Sequence, residues 1–186
     1  MQVFLSQGYA NTSMDRVAAA ARVSKQTIYS HFQDKEGLFT AIIERVTIHR
    51  IQRELGSTEL RGDPPILLRQ LAEAFLNKLA NPEYLSLFRV VIAESVRFPE
   101  LAQLYTRTVI QKGRGLLSDY FQSHPELNIA DPEATAHIFL GSLVSFVIAQ
   151  EVLYGKQIMP IEQERLIDAL ILLILGGYGV HTSRSG

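Results

Sequence analysis

The chain has no cysteine and no tryptophan in its 186 residues. Without cysteine there is no disulfide framework, no thiolate metal site and no thiol nucleophile, a composition that fits a reducing cytoplasm. Long uninterrupted apolar runs are missing too. The two most apolar stretches, Ile138–Ala149 and Leu166–Val180, fall short of the roughly 20 residues of a membrane-spanning helix. The first is broken by Ser142 and Ser145, the second by Asp168. Both read as helices of a folded core. The start, MQVFLSQGYANTS, lacks the basic and apolar segments of a signal peptide.

Enzyme signatures are absent as well. The five histidines (His31, His49, His124, His137, His181) form no HExxH and no i, i+4 pair. No glycine-rich phosphate loop and no G-x-S-x-G occurs. The chain is read as a non-enzyme that calls for no cofactor, no metal and no catalytic residue.

Charge is present but unevenly spread. The net charge is −1. Residues 1–53 hold seven Lys and Arg against four acids, a net of +3, and the remainder carries −4. A basic end on an acidic body points to an anionic partner at that end.

Helical periodicity runs through the whole sequence, and no strand alternation competes with it. Thr12-x-x-Asp15 resembles a capping box ahead of Met14, Val17, Ala18 and Ala21, one apolar face of a short helix. Only Arg22-Val23 separates this helix from Ser24, a second capping residue. Ile28 and Phe32 share a face four residues apart. Asp34 caps a third helix, expected to run to about Leu55. GSTELRGDPP (56–65) reads as a linker. Proline behind a capping residue then opens helix after helix. The expected spans run from Asp63 to about Ala80, Asn81 to about Arg97, Phe98 to about Gln122, Asp131 to about Tyr154, and Pro160 to about Gly176. The prediction is an all-α chain with an N-terminal three-helix unit (1–53) and a larger helical domain (54–186).

Two short helices joined by so tight a turn make a helix-turn-helix, whose second helix enters the major groove of DNA. On residues 24–32, Ile28 and Phe32 point inward. Gln26, Tyr29 and Ser30 occupy the opposite arc, flanked by Lys25 and Thr27. Lysine and glutamine hydrogen-bond base edges, while hydroxyls reach phosphates. A plain solvated helix face is the competing reading.

The order of residues is more specific than that pattern. GYANTSMDRVAAAARVSKQTIYSHFQDKEGLF (8–39) resembles the DNA-binding region of the TetR/AcrR family of transcriptional regulators. The matching elements are Gly8-Tyr9, Thr12-Ser13, Val17-Ala18 with Ala21, Val23-Ser24, Thr27-x-Tyr29-x-His31-Phe32 and Lys35-x-x-Leu38-Phe39. The remainder is similar to the AefR-like subgroup of C-terminal domains. The resemblance implies a regulator of the repressor type that binds a palindromic operator as a homodimer and is released by a small molecule. It implies Lys25, Gln26 and Tyr29 in the major groove, and Thr12, Ser13, Thr27, Tyr29, His31 and Lys35 on phosphates. A capping or core role competes for His31. Two departures stand out. Arg22 occupies the place of a turn glycine, so either the turn differs or the arginine accepts strain. Only Met1–Gln7 stand for the first helix, which raises the expectation of a first helix cut short, with weakened DNA binding; a helical interaction protein with impaired DNA binding is the alternative function.

The resemblance further implies a ligand pocket and a dimer interface. The aromatic and polar candidates for the pocket are Tyr84, Phe88, Arg89, Ile92, Phe98, Tyr105, His137, Phe139 and Phe146, which fit an apolar or amphipathic effector. Gly141, Ser145 and Ala149 recur every four residues, and Ile167, Ile171 and Ile174 follow on the last helix. Two such helices would pair with their symmetry mates in a four-helix interface, or else be buried within one chain.

Overall fold

In the computed structural model, residues 1–46 and 60–176 are described. Their regular structure is entirely helical, with no strand among them. The expected boundary at 53/54, the end of the third helix near Leu55 and most of the linker lie outside these residues.

The helices are α1 (Gln2–Asn11), α2 (Met14–Ala21), α3 (Lys25–Phe32), α4 (Lys35–Val46), α5 (Pro64–Leu79), α6 (Pro82–Glu94), α7 (Pro99–Tyr105), α8 (Lys112–Gln122), α9 (Pro132–Val147) and α10 (Gln163–Leu175). Side-chain capping fixes the starts of α2, α3, α4, α6 and α9. Ser24 Oγ accepts from the Thr27 N–H at 3.0 Å, Asp34 Oδ1 from Gly37 at 2.7 Å, Asn81 Oδ1 from Glu83 at 2.9 Å and Asp131 Oδ1 from Ala134 at 3.0 Å. Proline follows at the first helical position of α5, α6, α7 and α9, where its missing N–H costs nothing.

Three expectations are corrected. The cap of α2 is Ser13, which accepts from the Arg16 N–H, whereas Thr12 turns inward and donates to the Gly8 carbonyl at 2.8 Å. The run from Pro99 to Gln122 is not one regular helix, because a π-helical turn (Thr106–Gln111) joins α7 to α8. A second π turn, Ile148–Val152, extends α9. Together Pro132–Val152 make 21 helical residues with a mean hydropathy of 1.4 over their most apolar window, long and apolar enough to cross a membrane by length and composition. The flanks of the apolar run, helical in their own right, supply the length that the run itself lacks. This helix packs against α5, α8 and α10, with 28% of that window buried.

The described residues form two compact units. One joins 1–46 to 81–111. Its core gathers Phe4, Tyr9, Val17, Ile28, Phe39 and Ile43 from the first four helices with Leu87, Val91, Leu101 and Tyr105 from α6 and α7. Phe4, Tyr9 and Phe39 meet edge-on or stacked at centroid distances of 5.1–5.9 Å, a geometry that adds to plain burial. The other unit joins 60–80 to 112–176. Leu68, Leu117, Phe139, Leu143 and Ile167 are fully buried within it. Arg69 on α5 pairs with Glu164, at 3.0 Å, and with Asp168 on α10.

Candidate nucleic-acid interface

Helix α3 has eight residues, too few to be stable alone. Ile28 anchors it to the core, and Phe32 packs on the same cluster. The remaining side chains from Lys25 to His31 are exposed. The Ser24 hydroxyl caps the helix and also hydrogen-bonds Thr27 Oγ1 at 2.8 Å, and Ser30 Oγ donates to the Thr27 carbonyl at 2.9 Å. Lys25, Gln26, Thr27, Tyr29, Ser30 and His31 therefore stand on a short, firmly capped element with their outer face open.

The turn before α3 carries its own geometry. Arg22 adopts left-handed backbone angles, φ 56° and ψ 39°. Of the two possibilities for that position, the turn keeps its shape and the arginine takes the strain.

The cations of this face are largely engaged. Lys25 Nζ pairs with Asp15 on α2, both side chains more than half exposed. The hydrogen bond and charge of Asp15 raise the Lys25 pKa above its ordinary value. Lys35 Nζ donates to the Tyr9 carbonyl at 3.0 Å and sits 4.3 Å above the Tyr9 ring. Arg16, not singled out in the sequence, donates to Gln7 Oε1 at 2.7 Å and to the Asn11 carbonyl at 3.1 Å. Asp15 was equally hidden: its contact with Lys25 joins two helices ten residues apart, beyond any local pattern. Ser13 is exposed, and Thr12 is buried with its hydroxyl satisfied inside the chain.

The expected pocket residues divide between the two units. Tyr84 and Tyr105 are buried in the first, with their hydroxyls hydrogen-bonded to each other. Burial pushes Tyr105 up to about 12 and holds Tyr84 well above the usual tyrosine range. Phe88 stacks 6.3 Å from the Tyr84 ring and lies 6.1 Å from Tyr105. Phe98 meets Tyr9 at 5.7 Å, Arg89 lies on α6 with Phe88, and Ile92 is exposed. In the second unit Phe139 is fully buried. His137 and Phe146 line an open groove of about 580 Å³ along α9, together with Gly141, Ser145, Met159 and Leu166. Of the expected interface residues, Gly141 and Ser145 are exposed, and Ala149, Ile171 and Ile174 are half-buried. Ile167 is fully buried in its own chain, while Leu172 and Leu173 are 71% and 78% exposed.

An all-helical chain with a capped, outward-facing second helix behind a three-residue turn defines a helix-turn-helix DNA-binding regulator. Two family models agree. One described as "Bacterial regulatory proteins, tetR family" matches residues 1–42, and one described as "AefR-like transcriptional repressor, C-terminal domain" matches residues 67–180. The chain belongs to the TetR family of transcriptional regulators. It is 28% identical over 181 residues to the HTH-type regulator YhgD of Bacillus subtilis (strain 168), itself uncharacterized, covering 94% of this chain and 90% of that one. Among solved structures it is similar to the flavonoid-responsive regulator FrrA, with 29% identity, a TM-score of 0.72 and coverage of 95% and 91%. It is likewise similar to a TetR-family regulator of Mesorhizobium loti MAFF303099, with 29% identity, a TM-score of 0.66 and coverage of 96% and 92%.

Proposed function

We propose that this regulator is a ligand-responsive repressor that binds a palindromic operator as a homodimer in the cytoplasm. The observation that carries the reading is the exposed α3 face, Lys25 to His31, on a helix whose only fully buried residue is Ile28. Lys25, Gln26 and Tyr29 read base edges. Ser13, Thr27, Tyr29, His31 and Lys35 hold phosphates, and Thr12 acts by fastening the backbone beside Ser13. Residues 1–53 serve as the DNA-binding domain and 54–186 as the sensing and dimerising domain.

The dimer forms through α9 and α10. Gly141 and Ser145 admit a close helix, and Leu172 and Leu173 supply the apolar contact. The effector is an apolar or amphipathic small molecule. An aromatic effector is supported by the similarity to a flavonoid-responsive protein and by the Tyr84–Phe88–Tyr105 cluster. Tyr105 shares a core with Phe39 and Ile43 of α4, so an effector displacing it shifts the helix that follows α3. Such a ligand must bind the two states unequally.

The test is selection of bound duplexes from random DNA, followed by titration at several salt concentrations. The expected product is a near-palindrome with half-sites about 34–36 Å apart or a multiple of that, bound with a steep salt dependence. Binding indifferent to sequence would leave only a helical interaction protein with impaired DNA recognition.

A further inference from the structure

The α2–α3 turn is closed by two backbone bonds, Val23 N–H to the Ala18 carbonyl at 3.1 Å and Arg22 N–H to the Ala19 carbonyl at 3.2 Å. These are the paired bonds of a Schellman motif, whose left-handed residue is ordinarily glycine because a Cβ is penalised there. Here that residue is Arg22. Backbone geometry does not explain an arginine at this place. Packing does not explain it either, because Arg22 is exposed and its guanidinium has no hydrogen bond or ion pair among the described residues.

Its neighbours sharpen the contrast. Arg16 is held by Gln7 and Asn11, Lys25 by Asp15, and Lys35 by Tyr9. Arg22 keeps its charge open two residues ahead of Ser24, the cap of α3. The N-terminal end of such a helix is the end that enters the groove, so the segment feeding it runs along the groove's edge.

We infer that Arg22 is a DNA-backbone contact, its guanidinium donating to a phosphate at the edge of the groove that α3 enters. The planar fork of arginine matches phosphate oxygens. The inference rests on the operator-binding reading above. The contact carries no base information; it sets affinity and register and adds one released counterion per protomer.

R22G, R22Q and R22K in the full chain, titrated on a duplex selected by the unaltered protein, test this. R22G relieves the backbone and is expected to melt roughly 2–4 °C higher. The same variant should bind several-fold more weakly, with a salt slope shallower by about 0.9 per protomer. R22Q should lose the same affinity and slope without the thermal gain, and R22K should keep the slope. R22G and R22Q that keep the affinity and salt slope of the unaltered protein would overturn the assignment. So would a loss confined to one base position, which marks a base contact. An unaltered protein that binds no duplex overturns it together with the operator reading, and is told apart by that protein's own failure.

Discussion

Gly37 shows how little tolerance a single position leaves. A Cβ added there would lie 2.2 Å from the Phe32 carbonyl oxygen, backbone that cannot swing aside. Gly37→Ala is therefore expected to cost roughly 1–3 kcal/mol, read from the urea midpoint, and to disturb the end of α3. Tyr84 and Tyr105 give a different residue-scale signature. Burial raises both, Tyr105 to about 12. Above pH ~10 the unfolded chain ionises these phenols and the folded chain does not. Their contribution to stability is thus level below pH ~10 and falls as pH climbs towards 12, by about 1.4 kcal/mol per pH unit for each buried tyrosine. Tyr105→Phe should make that alkaline loss shallower. Denaturation midpoints from pH 9 to 12, alongside tyrosinate absorbance, check this. The aromatic character of both residues was legible in the sequence; their shared hydroxyl bond, 21 residues apart, was not.

Local chemistry sets most element boundaries. Ser24, Asp34, Asn81 and Asp131 all cap as their sequence contexts predict, because the bond from side chain to N–H spans two or three residues. Asp63, at the start of α5, makes no such bond, and Thr12 and Ser13 are a second exception. Both are chemically able to cap α2, and only the burial of Thr12 under α1 chose Ser13. The π turns were not legible, since one extra residue per turn is a packing outcome with no composition of its own. Between elements, Asp15 on α2 meets Lys25 on α3. DNA must compete with this carboxylate for the lysine. Asp15→Asn is expected to tighten binding to operator and unrelated duplex alike by removing a negative charge from the face, with little change in stability because the pair is solvent-exposed. Fluorescence anisotropy on both duplexes decides it; unchanged binding would place Asp15 outside the interface.

For the whole molecule the open question is the second copy. Helix α10 presents Leu172 and Leu173 to solvent, and α9 presents Ile138 beside Gly141 and Ser145. Leu172→Glu combined with Leu173→Glu should shift a sedimenting dimer to a folded monomer at micromolar concentration and abolish high-affinity operator binding. A dimer that survives both changes would move the interface elsewhere. The last helix also shows where sequence reading stops. Ile167, Ile171 and Ile174 are expected at an interface because their helix is apolar on most faces, yet the rotation of α10 against α5 and α9 buries Ile167 completely.

The sequence by itself determined the helical class, most of the caps and the residues displayed on α3, because these follow from contacts spanning at most one or two helical turns. Tertiary structure alone decided which cations are already engaged, which hydroxyl caps α2, and that Tyr105 shares a core with Phe39. Those outcomes depend on side chains brought together from distant parts of the chain, and no local pattern encodes such meetings.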